Sequence, residues 1–194
     1  MREAGIRTSI FCASFFACSV FAAENQPAIP PGDPPPLGTA SFVPPTSIDE
    51  EPLTAASFVT RATMMNLMET EAGSLAQSRS SNPQVKSFAA QLMADHRAAQ
   101  TQLKAPAAQA KLAMPGEMDV DHQKARDELA ALDGSAFDTK FIQLMTSSHD
   151  EAVRMFEAAS KSPKLTKELQ AYANAMLPKL KAHAQTAHKL SSGH

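Results

Sequence analysis

"SSNPQVKSFAAQLMADH", residues 80–96, decides how this chain is read. Its first residues stop one helix and start another. Asn82 suits an N-cap, and Pro83 falls at the first helical position, where a missing N–H costs nothing. Val85, Phe88, Leu92 and His96 then recur at helical spacing, and Ala99 and Leu103 extend the same face. The face that turns Phe88 towards a core therefore also carries a histidine, preceded by Asp95.

Working outward, the same period continues on both sides. Upstream, Thr54 caps a first long helix that runs to Arg79 with Phe58, Ala62, Met65, Met68, Ala72 and Leu75 on one face. Downstream, Pro106 and Met114-Pro115-Gly116 are expected to close the second helix. A shorter helix over residues 119–132 ends at Asp133-Gly134. A third long helix starts at Ser135, with Asp138 as a weak capping-box partner, and presents Phe137, Phe141, Leu144, Met145, Ala152, Met155 and Phe156. Ser162-Pro163 repeats the Asn82-Pro83 device and is expected to open a fourth, with Leu165, Leu169, Tyr172, Met176, Leu180, His183 and Ala187. Inside it, Pro178 removes one backbone bond and predicts a bend. No strand signal of comparable length is present.

Two tight connections and one long one, over residues 105–134, predict the architecture: all-α, a ferritin-like four-helix bundle with a long crossover between the second and third long helices. The crossover makes those two helices parallel.

The N-terminal segment has a different character. In residues 1–23, Arg2 and Arg7 precede an apolar run from Ile10 to Ala23 that ends in small residues, the layout of a secretory signal peptide. The run is shorter than the roughly 20 residues of a membrane span. Residues 24–52 are dense in proline and read as a disordered tether; residues 53–190 form the folded domain. An exported, periplasmic protein is expected, with lipid anchoring at Cys18 the weaker alternative because Phe15-Phe16-Ala17 is a poor context for it. Cys12 and Cys18 both lie in the leader, so the mature chain offers no thiol, disulfide or cysteine nucleophile. Removing the leader takes away two cations and one anion, and the net charge goes from −2 to −3. Interspersed signs and a weakly acidic balance exclude a polycationic nucleic-acid surface. A homo-oligomer is compatible with this composition, and no membrane span is expected in the mature chain.

The stretches "FVTRATMMNLMETEAGSLAQSRSSNPQVKSFAAQLMADH", "GSAFDTKFIQLMTSSHDEAVRMFEAASKS" and "LPKLKAHAQTAHKL" together resemble the bacterial exported family called domain of unknown function 4142. The matching elements are Glu69-x-Glu71 with Gly73 and Leu75, Asp95-His96, Gly134-x-x-Phe137-Asp138, His149, and Leu177-Pro178 with His183. Where the family carries a second Asp-His pair, this chain has Ser148-His149. The resemblance implies a ferritin-like bundle in the periplasm or outer envelope, and no established activity.

The candidate site residues are His96, His149, Glu69, Glu71, His183 and Asp95. Leu92 and Met93 set the face of His96, Met145 and Phe156 that of His149, and Leu67 and Leu75 that of Glu71. At about 1.5 Å per residue, depths from the end where the first two helices meet are about 12 Å for Glu71, 15 Å for Glu69, 20 Å for His96, 21 Å for His149 and 9 Å for His183. This arithmetic groups His96 with His149, lets Glu69 reach them, and pairs His183 with Glu71. Met176 falls in the upper layer, with Met65 or Met68 opposite. Imidazole with carboxylate suits zinc or iron, and imidazole with thioether suits copper(I). A buried network of His and Glu that holds helix register accounts for the same residues without a metal, and core packing accounts for the methionines.

Three function classes follow. One is a binding module that holds a transition metal in envelope stress or metal homeostasis. The second is a non-catalytic structural or interaction bundle. The third is a degenerate di-iron redox enzyme, which the absence of any Glu-x-x-His pair disfavours. No Gly-x-Ser-x-Gly elbow or glycine-rich phosphate loop is present, so an enzyme is not expected.

Overall fold

The computed structural model describes residues 52–193, and over them the chain is all-α, with five helices and no strand. The leader and all but the last residue of the proline-rich segment lie outside the described residues. α1 (Ala55–Arg79) opens on a reciprocal cap: the Ser57 N–H donates to Thr54 Oγ1, and the Thr54 N–H donates to the Ser57 hydroxyl. α2 (Pro83–Gln109) opens on Asn82, whose Oδ1 accepts from the Gln84 N–H at 2.8 Å. α3 (Val120–Ala130) starts on Asp119, and α4 (Gly134–Lys161) and α5 (Lys167–Ser192) complete the domain.

Four boundary expectations need correction. Pro106 does not close α2, because it lies in the last turn and forfeits a single backbone bond there. The helix runs on to Gln109 with Ala110 as its C-cap; just beyond, Lys111 has φ +57°, and the Leu112 N–H reaches back to the Ala107 carbonyl at 2.9 Å. α4 begins one residue before Ser135, at Gly134, whose φ of +57° suits glycine. Asp138 is no cap partner: it is buried, and Asp133 at the cap position bonds Arg79 instead. Ser162-Pro163 does not open a helix either. Ser162 closes α4, the Leu165 N–H returns to its carbonyl in a turn, and Thr166 caps α5 by accepting from the Leu169 N–H. Pro178 lies within α5 without ending it.

α1 packs on α2 and α4, α5 packs on α4 and α2, and α3 lies mainly against α1. Directions follow from the aromatic pairs. Phe88, early in α2, meets Phe141, early in α4, at 6.4 Å. Late in α4, Phe156 meets Phe58 at the start of α1 and Tyr172 at the start of α5, at 5.1 and 6.0 Å. α2 and α4 therefore run one way, α1 and α5 the other.

These rings head two separate apolar clusters. One contains Phe88, Leu92, Phe137, Phe141 and Met145; the other contains Phe58, Leu103, Phe156, Leu169 and Tyr172. Each draws on all four long helices, and each fully buried large apolar side chain contributes about 1.5–3 kcal/mol. The change from one cluster to the other falls between Leu92 and Ala99 on α2, between Met145 and Ala152 on α4, and between Leu180 and Ala187 on α5. His96, His149 and His183 occupy those intervals, so a polar layer crosses the middle of the core. Next to this layer α1 and α2 approach closely at Gly73, where a Cβ would come within 2.5 Å of Met93 Cγ and 3.0 Å of the Ala89 carbonyl. No described helix is long and apolar enough to cross a membrane.

Candidate metal centre

Each long helix sends one titratable side chain into the polar layer: Glu69 from α1, His96 from α2, His149 from α4 and His183 from α5. None is more than 2% exposed. The imidazole centroids are 5.2–5.7 Å apart, and one ring nitrogen from each lies within 4.8 Å of the other two.

Hydrogen bonds fix which nitrogen faces inward. His149 Nδ1 is 2.9 Å from the Met145 carbonyl, which can only accept, so the proton sits on Nδ1 and Nε2 is bare. His96 Nδ1 is 3.0 Å from Asn66 Oδ1, and the Asn66 amide is oriented by its own donation to Gln100 Oε1. His96 thus donates through Nδ1 and also bares Nε2. His183 donates through Nε2 to Asp95 Oδ2 at 3.0 Å and bares Nδ1. The three bare nitrogens are buried and have no hydrogen-bond partner.

Glu69 completes the layer. Its Oε1 accepts from the Ser148 hydroxyl at 3.0 Å. Its Oε2 lies 2.9 Å from His96 Nε2 and 3.2 Å from His149 Nε2, within ion-pair distance, yet it too has no hydrogen bond. A proton on a ring nitrogen and a metal ion shared by the donors are two ways to reconcile these distances.

Burial weighs most on Glu69, Asp95, His149 and His183. It pushes the Glu69 carboxyl up, but the electrostatic pull of His149 and His96 and the hydrogen bond from Ser148 outweigh it and hold the carboxyl at about 2. Burial lowers His149 to about 4 against the opposing pull of Glu69. It lowers His183 as well, against Asp95. Asp95 is itself held below the ordinary carboxylate range: its burial is outweighed by hydrogen bonds from Lys179 and His183. The layer is therefore anionic at Glu69, and burial favours the neutral form of His149 and His183.

The structure brings Glu69, His96, His149 and His183 together and puts Asp95 behind His183, as the partner of its outer nitrogen. Glu71 does not join them. It points to the surface and pairs with Arg126 at 3.0 Å, and His183 sits with the other histidines rather than beside it. The depth arithmetic misplaced His183 for two reasons. α5 continues to Ser192, which puts His183 about 14 Å from that end. In addition, Cα–Cβ bonds tilt towards each helix's N-terminus, so side chains on oppositely running helices lean towards one another. Asn66 and Lys179 escaped the sequence reading, which noted Ser148 only as standing in place of an aspartate; the clue to Asn66 is a polar residue three positions before Glu69 on a buried face. Met65 and Met176 line a cavity beside His96 and His183, while Met68 and Met145 are core residues.

The chain is thus an all-helical domain built around a buried histidine and carboxylate cluster. The sequence model of the family described as domain of unknown function, DUF4142, matches residues 43–190, and the chain belongs to that family. Two solved structures share the fold. A fragment of a domain of unknown function 305 protein from Deinococcus radiodurans has a TM-score of 0.61 at 16% identity, covering 72% of this chain and 96% of its own. A domain of unknown function 305 protein from Streptomyces coelicolor has a TM-score of 0.57 at 16% identity, covering 71% of this chain and 91% of its own. No curated protein matches the chain.

Proposed function

We propose that the protein binds one transition-metal ion through His96 Nε2, His149 Nε2, His183 Nδ1 and Glu69 Oε2, and that it is a metal-holding module rather than an enzyme. One observation carries this reading: three buried imidazole nitrogens without hydrogen bonds converge, with Glu69 Oε2 beside two of them, while the outer nitrogen of each imidazole is already committed to a carbonyl, an amide or a carboxylate. Outer partners of that kind orient metal-ligating histidines. Three imidazoles and one carboxylate suit a borderline divalent ion, zinc or iron(II). A bound ion would supply the positive charge that the facing lone pairs lack. The cavity beside the triad, about 10 Å³, has room for about one water and none for an organic substrate, which favours holding over turnover. A ferritin-like bundle with its crossover over residues 110–133 is the framework we infer. Export to the periplasm rests on the leader in residues 1–23, and a role in envelope metal homeostasis follows from those two readings. Among the described residues, Glu69 is the one fully buried carboxylate beside the histidines, with Asp95 on the outer side of His183, which disfavours a di-iron enzyme.

Elemental analysis and zinc titration of the untagged mature chain test the proposal, beside a His96→Ala/His149→Ala double variant. One ion per chain that the variant loses is the expected result. A protein that takes up no zinc, iron or copper would overturn it. A His96→Leu variant of unchanged or higher thermal stability would then favour the second reading, a metal-free network around the close Glu69–His96 pair.

A further inference from the structure

Among the described residues, a line from the cluster to solvent runs past His183. Glu69, His96, His149 and His183 are buried, but Asp95 behind His183 is 20% exposed and Lys179 beyond it 47% exposed. A cavity follows this line between α2 and α5, lined among others by Met65, Asp95, His96, Met176, Lys179 and His183. Asp95 serves two partners: Oδ2 accepts from His183, and Oδ1 pairs with the Lys179 ammonium. A cation arriving from solvent meets this carboxylate first, and the ammonium covers it. Next to Lys179 in α5, Pro178 has no N–H, so the Asn174 carbonyl lacks its usual helical donor and this turn of the helix is held by one bond fewer.

We infer that this cavity is the route by which a divalent cation reaches the histidines, with Asp95 as its first ligand and Lys179 as a tethered cation that must swing aside. The inference rests on the metal-binding reading above. An exposed lysine–carboxylate pair is weak enough to open thermally, and a flexible ammonium competes with an incoming metal ion for the same oxygen. Asp95 holds the outer nitrogen of His183 with one oxygen and Lys179 with the other, so the pair persists whether or not the inner nitrogen of His183 holds an ion. Lys179 then limits passage in both directions without setting affinity.

Stopped-flow loading of the untagged mature chain with zinc alone, and stripping of the loaded protein by excess chelator, test this directly. The variants are Lys179→Gln and, as a control, Lys181→Gln, which removes a nearby lysine paired with Glu157 instead of Asp95. Lys179→Gln is expected to accelerate loading and release together by about tenfold, with equilibrium affinity unchanged, and Lys181→Gln to alter neither rate. Wild-type rates in Lys179→Gln, on a protein that still titrates with one zinc, would overturn the route and leave the metal site standing. Equal acceleration by Lys181→Gln, or faster loading without faster release, would make the effect one of general charge and overturn it too. No zinc uptake by the wild-type chain would remove both readings at once.

Discussion

His149 commits one nitrogen to its own helix, at the Met145 carbonyl, and has no neighbour that could neutralise a proton on the other except Glu69. Its depressed pKa makes acid the enemy of the metal-free fold. The folded form of His149 titrates at about 4 against an ordinary 6.5, so between those values the unfolded chain binds the extra proton and stability falls as pH falls. Glu69, at about 2 against 4.5, extends the loss below pH 4.5. The urea midpoint of the metal-free protein should therefore decline steadily as pH drops below 6.5; a midpoint flat from neutrality to pH 4.5 would contradict a neutral, buried His149. For the loaded protein, Asn66→Ala frees His96 to choose its other tautomer and should weaken zinc by about 10- to 100-fold, measured by competition with a chromophoric chelator. Glu69→Gln should weaken it further, because it removes charge and a ligand together. At this scale the sequence was a partial guide. Helical spacing identified His96 and His149 as inward and let Glu69 reach them, but it could not see that Glu71, two residues on, turns out to Arg126, or that Ser148 would hold Glu69.

Among the helices, antiparallel packing did what counting residues could not. Side chains lean towards the start of their own helix, so α1 and α5 lean one way and α2 and α4 the other, which closes the spread of depths that separated His183 from its partners. Caps were legible where the polar side chain directly preceded the first turn, as at Thr54 and Asn82. The Ser162-Pro163 pair deceived because a proline also suits a turn, and Thr166, a plain cap three residues later, went unread. Two element-scale outcomes follow. Gly73→Ala should cost about 1–3 kcal/mol in chemical denaturation, because a Cβ there meets the Ala89 carbonyl as well as the movable Met93 side chain. Lys111→Gly at the end of α2 should stabilise the protein by about 0.5–1 kcal/mol, since φ +57° is strained for lysine and free for glycine. An unchanged denaturation midpoint in either variant would mean that the backbone relaxes at that position.

Across the whole molecule, the all-helical class and the long second connection could be read from periodicity and breakers. The division of the core into two clusters could not, because each cluster takes residues from four helices far apart in sequence. An ion in the layer between them would tie both clusters together, and zinc at 100 times its dissociation constant should add about 2.7 kcal/mol, a rise of roughly 5–10 °C in Tm for a domain of this size. A thermal scan that shows no zinc-dependent rise would contradict binding at the layer. The order of the donors along the chain has one more consequence. Glu69 and His96 belong to the α1–α2 hairpin, His149 and His183 to the α4–α5 hairpin, and the segment over residues 110–133 is all that joins the two pairs covalently. On the metal-binding reading, a cut within that segment would make the protein a split receptor: neither fragment would own a complete set of donors, and the ion itself would become the fastener whose concentration sets how much of the whole is assembled.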